Sequence, residues 1–297
     1  MTALTGTEAG GTRLFARPSR LQRLLRYLGR HPSVAVGGGL LLAMVAIAVL
    51  APLLWTVDPT QISPARRTRM PSEQFWFGTD MLGRDVYSRV VYGARVSLVV
   101  GFAVAALASL AGLAIGVLAG FVRKADGVIM RAIDGMMSIP PILLAIALMA
   151  LTRGSVGNVV LAITLAEIPR VARLVRGVVL SLREQPYVEA AVASGARAPR
   201  IIIRHIIPNT MAPMLVQATY ICASAMIVEA ILSFIGAGTP PATPSWGNIM
   251  AEGRALWQIR PHIILFPAIF LSITVLAVNL LGDGLRDSLD PRIAKSL

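Results

Sequence analysis

Long uncharged apolar runs alternate along the chain with short clusters of arginine. A helix needs about 20 mostly apolar residues to cross a bilayer. Six runs answer to this: residues 33–57, 96–122, 135–152, 154–166 continuing past Glu167, 206–228 and 262–281. The third is opened by the pair Pro140-Pro141. The pattern predicts an all-α integral membrane protein with six transmembrane helices. Trp55 stands at the far end of the first run, where an aromatic anchor at the membrane–water interface is expected. That run does not read as a cleaved signal peptide. It is too long, it follows a polar stretch, and Pro52-Leu53-Leu54-Trp55 is not a small-x-small cleavage site.

The polar segments divide the chain into a tail at 1–32, a first helix at 33–57, an external loop at 58–93, a five-helix core at 94–285 and a second tail at 286–297. Within the core lies a long loop at 177–208. Arginines gather in the first tail, around residue 123, between residues 170 and 204, and after residue 285. Because cytoplasmic segments carry the excess of Lys and Arg, both termini are expected in the cytoplasm, and an even helix count agrees. Residues 1–17, rich in Thr, Gly and Ala without apolar periodicity, are expected to be disordered. Residues 20–30 alternate Arg with Leu and are expected to form an amphipathic helix on membrane lipid.

Composition agrees with a bilayer-embedded chain. Of 297 residues, 55% are hydrophobic and only 14% charged, where a soluble domain has about a quarter charged. Mean hydropathy is +0.69. A net charge of +13 could suit nucleic acid, but the arginines lie between apolar runs rather than on one soluble face, so no nucleic-acid partner is expected. Cys222 is the sole cysteine; it excludes an internal disulfide and reads as a small buried hydrophobe. The only lysines, Lys124 and Lys295, do not follow a glycine-rich loop, so no phosphate cradle of the Gly-x-x-x-x-Gly-Lys-Ser/Thr kind is present. His31, His205 and His262 fall in unrelated places, and no metal site or enzymatic constellation is expected. A secondary transporter would carry inverted repeats with midplane ionisable groups, and no second copy of the long loop is found.

Gly112, Gly116 and Gly120 repeat at four-residue spacing, the stripe that lets a neighbouring backbone approach closely. Met136, Met137 and Met149 read as packing. The external loop carries Pro59, Pro64 and Pro71 with mixed charges and is expected to fold as a small lobe. Glu167 and Arg170, at i,i+3, read as a surface pair at the cytoplasmic exit.

The loop at 177–208 carries the most information. Pro186 suits a first helical turn, Glu189, Ala190, Ala191 and Ala193 continue it, and Gly195 suits a left-handed helix end. A second short helix is expected over 198–207, leading into Pro208. An exposed alanine-rich helix of this length requires a partner groove.

Glu189-Ala190-Ala191, then Gly195, then Ile206-Ile207-Pro208 resembles the EAA loop of ABC importer permeases, with His205 and Ile207 departing from its general form. Arg204-His205-Ile206-Ile207-Pro208-Asn209 is similar to the peptide and nickel branch. So are Phe77-Gly78-Thr79-Asp80, Gly83-Arg84-Asp85, Ser88-Arg89 and Gly93-Ala94-Arg95-Val96-Ser97-Leu98. Pro244-Ser245-Trp246-Gly247, the stretch opened by Glu229, Gly282-Asp283-Gly284-Leu285-Arg286-Asp287 and Leu289-Asp290-Pro291-Arg292 complete the match. Together they resemble the C-type member of the dipeptide and oligopeptide permease pair.

The resemblance implies a type I importer permease, in the bacterial inner membrane, that moves di- or oligopeptides or, alternatively, nickel or another small solute. It implies a second permease subunit, two cytoplasmic ATPases that bind ATP and magnesium, an extracytoplasmic binding protein, and no cofactor in this chain. Glu189, Ala190, Ala191, Gly195 and Pro208 would form the ATPase-coupling loop. Glu229 and Ser233 would belong to the translocation pathway or its outer gate, and the external lobe would receive the binding protein or the second permease.

Overall fold

The computed structural model describes residues 27–152 and 154–289. The tail expected to be disordered lies outside the described residues, as do Asp290, Pro291 and Arg292. Of the amphipathic segment at 20–30, residues 27–30 are described and helical. Apart from one antiparallel bridge between Thr79 and Asp85, the regular structure among the described residues is helical.

The membrane-scale helices are α1 (Pro32–Val49), α2 (Val86–Phe121), α5 (Val156–Arg183), α8 (Ile207–Phe234) and α10 (His262–Leu289). Between them lie α3 (Arg123–Met137), α4 (Pro141–Ala150), α6 (Pro186–Ala193), α7 (Ala198–Ile201) and α9 (Trp246–Gly253). The main packing is α2 on α5 and α8, and α10 on α1 and α8. The glycine stripe explains the tightest of these. A methyl group on Gly116 would stand 2.6 Å from the Val175 Cβ, and one on Gly120 2.7 Å from that of Val179, while Gly112 abuts Val171 in the same register. Small residues thus bring α2 and α5 to close backbone approach, which drives helix association where lipid is as apolar as the side chains.

Among the described residues, four helical segments are long and apolar enough to cross a membrane: Pro32–Val49, Val86–Phe121, Ala198–Phe234 and His262–Leu289. Arg123–Met137 and Pro141–Ala150 make a fifth if the bent pair is one span. The expected count of six needs α5 as well. Its 28 residues are long enough at about 42 Å, but Glu167, Arg170, Arg173 and Arg176 give it more charge than a plain span carries.

Other departures have local causes. The third run is not one straight helix, because α3 and α4 meet at 84°. Pro140 and Pro141 offer no N–H to continue α3, and Pro141 instead opens α4. The second long helix starts ten residues before the apolar run, at Val86 rather than Val96, since Asp85 caps it by accepting from the Ser88 amide at 2.8 Å. The external loop is therefore shorter than 58–93 and already helical at its end. The expected short helix over 198–207 is only α7, which passes through one wide π-turn, Ile202–Ile206, directly into α8. Pro208, near the start of α8, cannot donate, and a π-turn is one local adjustment by which membrane helices re-satisfy groups that a proline frees.

The expected external lobe is present. Main-chain hydrogen bonds join Ser63 to Leu82, Thr68 to Asp80 and Thr79 to Arg69. Trp55, Trp76, Tyr87, Phe77 and Phe266 form a continuous row of ring contacts, ending in a 3.9 Å stack of Phe77 on Phe266. Trp55, at the end of this row, is 84% exposed.

Candidate functional site

Helix α6 stands at the end of the bundle opposite the external lobe. Pro186 is in its first turn, and its amides at Val188 and Glu189 are satisfied by the Gln185 carbonyl at 2.9 and 3.1 Å. At its end the Ala196 amide donates to Ala191 O (3.0 Å) and the Gly195 amide to Val192 O (2.9 Å), with Gly195 at φ +76°. This is the Schellman arrangement, and it requires the left-handed residue that glycine supplies without strain.

Only one side of α6 is anchored. Val188 is buried and Ala191 half-buried, while Glu189, Ala190, Ala193 and Gly195 are exposed. Tyr187, Val192 and Ile203 are 42%, 58% and 68% exposed, so the knob presents apolar side chains beside a carboxylate. The Tyr187 and His205 rings lie 5.9 Å apart, tying α6 to the π-turn. Arg183, which ends α5, donates to the Gly120 and Phe121 carbonyls at 2.9 and 3.3 Å and so closes the C-terminus of α2. The knob is thus wired to α2, α5 and α8 at once. Glu189, Ala190, Ala191 and Gly195 share one motif; Pro208 is separate, at the exposed start of α8.

At the far end of α8, Glu229 is 0% exposed. The Ser233 hydroxyl donates to its carboxylate at 2.8 Å. The same hydroxyl accepts from the Thr239 amide at 3.2 Å, and the Thr239 and Ser245 hydroxyls are 3.1 Å apart. Ser245 opens α9 in a capping box with Asn248, and Asn248 Nδ2 donates to Thr239 Oγ1 at 3.3 Å. The Trp246 indole N–H donates to the Val90 carbonyl at 3.0 Å. These bonds strap the segment 235–245 and α9 onto α8 and α2. Glu229 and Ser233 therefore come together, inside the subunit rather than on an open surface.

Beside this knot, Asp80, Arg84, Arg89 and Glu252 form one ion cluster. Asp80 Oδ2 accepts from Arg84 Nε at 2.7 Å and from Arg89 at 2.6 Å, and both arginines also bond Glu252. Asp80 and Arg89 are almost fully buried. Two acids and two arginines neutralise each other, the condition under which buried charges are tolerated. Sequence reading quoted Asp80, Arg84 and Arg89 only within a resemblance and did not single out Glu252. No spacing signal joins residues so far apart in the chain.

The Glu167–Arg170 expectation is corrected. Glu167 is only 2% exposed and stands 3.5 Å from Arg170, with a 3.4 Å contact from the Ser224 hydroxyl on α8. Pro169 ends up within the helix on the same turn, and the pair is interior on the Glu167 side. Cys222 is buried, as expected.

Residues 112–295 match the family of binding-protein-dependent transport system inner membrane components. Residues 19–71 match the N-terminal transmembrane domain of oligopeptide transport permease C. The chain is 51% identical over 292 residues to the "Probable peptide ABC transporter permease protein y4tQ" of Sinorhizobium fredii, covering 98% of each chain. It is 40% identical over 269 residues to the dipeptide transport system permease protein DppC of Alkalihalophilus pseudofirmus, over 90% of this chain and 88% of that one. It is also 40% identical over 270 residues to the glutathione transport system permease protein GsiD of Pectobacterium atrosepticum, over 90% and 89%. With an exposed, glycine-terminated helix built into a helical bundle and a family match over more than half its length, the chain belongs to the binding-protein-dependent transport system inner membrane components.

Proposed function

We propose that this chain is one of two permease subunits of an ATP-driven importer of short peptides, and that α6 is the element through which the ATPases move it. The observation that carries the coupling reading is the construction of the knob. Glu189 and Ala190 are exposed on, and Ala191 half-buried in, a helix that is opened by Pro186, closed by the turn at Gly195 and joined to α5 and α8. A helix so placed seats in a groove and moves as a rigid body with the bundle. The relatives named for peptides, dipeptides and glutathione, itself a tripeptide, support the cargo class.

In this reading α1, α2, the bent α3–α4 pair, α5, α8 and α10 are the six spans, both termini are cytoplasmic, and the chain lies in the inner membrane. ATP and magnesium are bound by the partner ATPases, and this chain supplies no cofactor ligand. The external lobe faces the binding protein and the second permease. Helix α8 has 28 residues, about 42 Å, with the knob at one end and the Glu229 knot at the other. Closure of the ATPases is then felt at the outer end as a displacement of α8 and the segment it holds. Glu229 and Ser233 act as the internal fastening of an outer gate.

The test has two parts. Uptake of a labelled dipeptide and of nickel is compared in cells with and without the gene; loss of dipeptide uptake, restored by the intact gene, is expected, and loss of nickel uptake alone overturns the cargo assignment. Glu189→Lys and Gly195→Asp are expected to abolish uptake while the protein stays in the membrane. Full uptake with normal ATPase association in both variants overturns the coupling role.

A further inference from the structure

Helix α5 carries three arginines in successive turns on the side of α3. Arg176 makes a two-pronged pair with Asp126, Nε and Nη2 donating to one oxygen each at 2.5 and 2.7 Å. Arg173 bonds Asp134 at 2.5 Å. One turn further on, α3 has ended at Met137 and bent away at 84°. Arg170 faces the resulting gap without an acid from α3. Among the described residues the carboxylate within ion-pair distance is Glu167, on its own helix at 3.5 Å, beyond the 2.7–2.9 Å of a charge-assisted bond.

The gap is a cavity of about 160 Å³ lined by Met136, Met137, Ile139, Pro141, Pro169 and Arg170. Arg170 lies midway along α5, about 20 Å from either end, and is half exposed. In the six-span reading above Arg170 stands within a span, and a cation there faces a cavity or a water-filled path; such groups mark where a polar solute passes. The two filled rungs show what the empty one takes, because guanidinium matches carboxylate geometry with two parallel donors. The pliable, apolar methionines beside it suit side chains of varied shape.

Building on the peptide reading above, we infer that Arg170 and the cavity at the α3–α4 bend form a transient site in the translocation path for the C-terminal carboxylate of a peptide. Arg170 binds that carboxylate. Glu167 is a positioning residue: buried and fixed by Ser224, it holds the guanidinium toward the cavity without filling the rung.

The test uses the assembled importer with its receptor protein in proteoliposomes. Uptake of dialanine is compared with that of dialanine amide, for the native chain, Arg170→Gln and Arg170→Lys. Any preference of the receptor for the free acid is common to all three chains, so the quantity read is the change in the acid-to-amide ratio. Arg170→Gln is expected to lower that ratio about tenfold, the scale of one charge-assisted hydrogen bond, with amide uptake unchanged. Arg170→Lys, a point charge without the fork, is expected to recover part of it. Acid and amide uptake falling together overturns the inference, as when an acid of the second permease fills the rung. An unchanged ratio also overturns it, while leaving the peptide reading intact. A native importer that takes up neither dialanine nor its amide removes the peptide reading first.

Discussion

The guanidinium of Arg89 and the carboxylate of Glu252 meet at the end of the bundle opposite α6 although 163 residues separate them. Each also shares a partner in Arg84 or Asp80, so the start of α2, the external lobe and α9 are fastened at one point. Removing Asp80 leaves two buried arginines sharing the single carboxylate of Glu252. Asp80→Ala is expected to destabilise the subunit by about 3–5 kcal/mol. Glu252→Gln is expected to cost less, because its side chain keeps 22% exposure and water screens part of the loss. Thermal unfolding in detergent measures both, and equal, small shifts would show that the cluster does not fasten the lobe.

Gly195 tests whether the knob depends on backbone conformation or on space. A methyl group there would meet nothing within 4 Å, but φ is +76°. Gly195→Ala is therefore expected to cost about 1 kcal/mol through the left-handed backbone alone, with uptake reduced and not abolished. Gly195→Asn, which tolerates that conformation, is expected to transport better than Gly195→Val. The reverse order of uptake rates would remove the conformational explanation.

Gly116 against Val175 tests helix packing. Gly116→Ala forces α2 and α5 apart and is expected to cost about 1–3 kcal/mol, as overpacking usually does. Pairing it with Val175→Ala is expected to restore part of that loss, which a double-mutant cycle of unfolding midpoints would read.

At Gly78, φ is +74°, and a Cβ would stand 2.5 Å from the Arg69 carbonyl and 2.7 Å from His262 Nε2. Gly78→Ala is expected to loosen the external lobe without unfolding the bundle. Trypsin cleavage near Arg66, Arg67 and Arg69 should accelerate while cleavage after Arg183 stays at the native rate. Native resistance at all these sites would show that the lobe absorbs the change.

The sequence determined a good part of this protein by local chemistry. Bilayer thickness makes apolar run length legible, so the starts of α1, α8 and α10 were found within one residue; their far ends were missed by six to eight, the first helix stopping at Val49 rather than at residue 57. Turn chemistry made α6 legible too: Pro186 at its first position suits the helix start, and Gly195 after it meets a requirement of the backbone itself. The glycine stripe announced close packing, although not that its partner would be Val171, Val175 and Val179. Run length did not decide α5, whose arginines Arg176 and Arg173 are paired with Asp126 and Asp134 on another helix.

Only the tertiary structure decided the rest, since charge partnership between distant segments leaves no trace in spacing. It placed Glu252 on Arg89, sealed Glu229 among hydroxyls from three segments, buried Glu167 where an exposed pair was expected, and bent α3 from α4 so that Arg170 opens onto a cavity. Each of those facts depends on which helix lies beside which. Helix adjacency is set by packing over the whole bundle and not by any local run of residues.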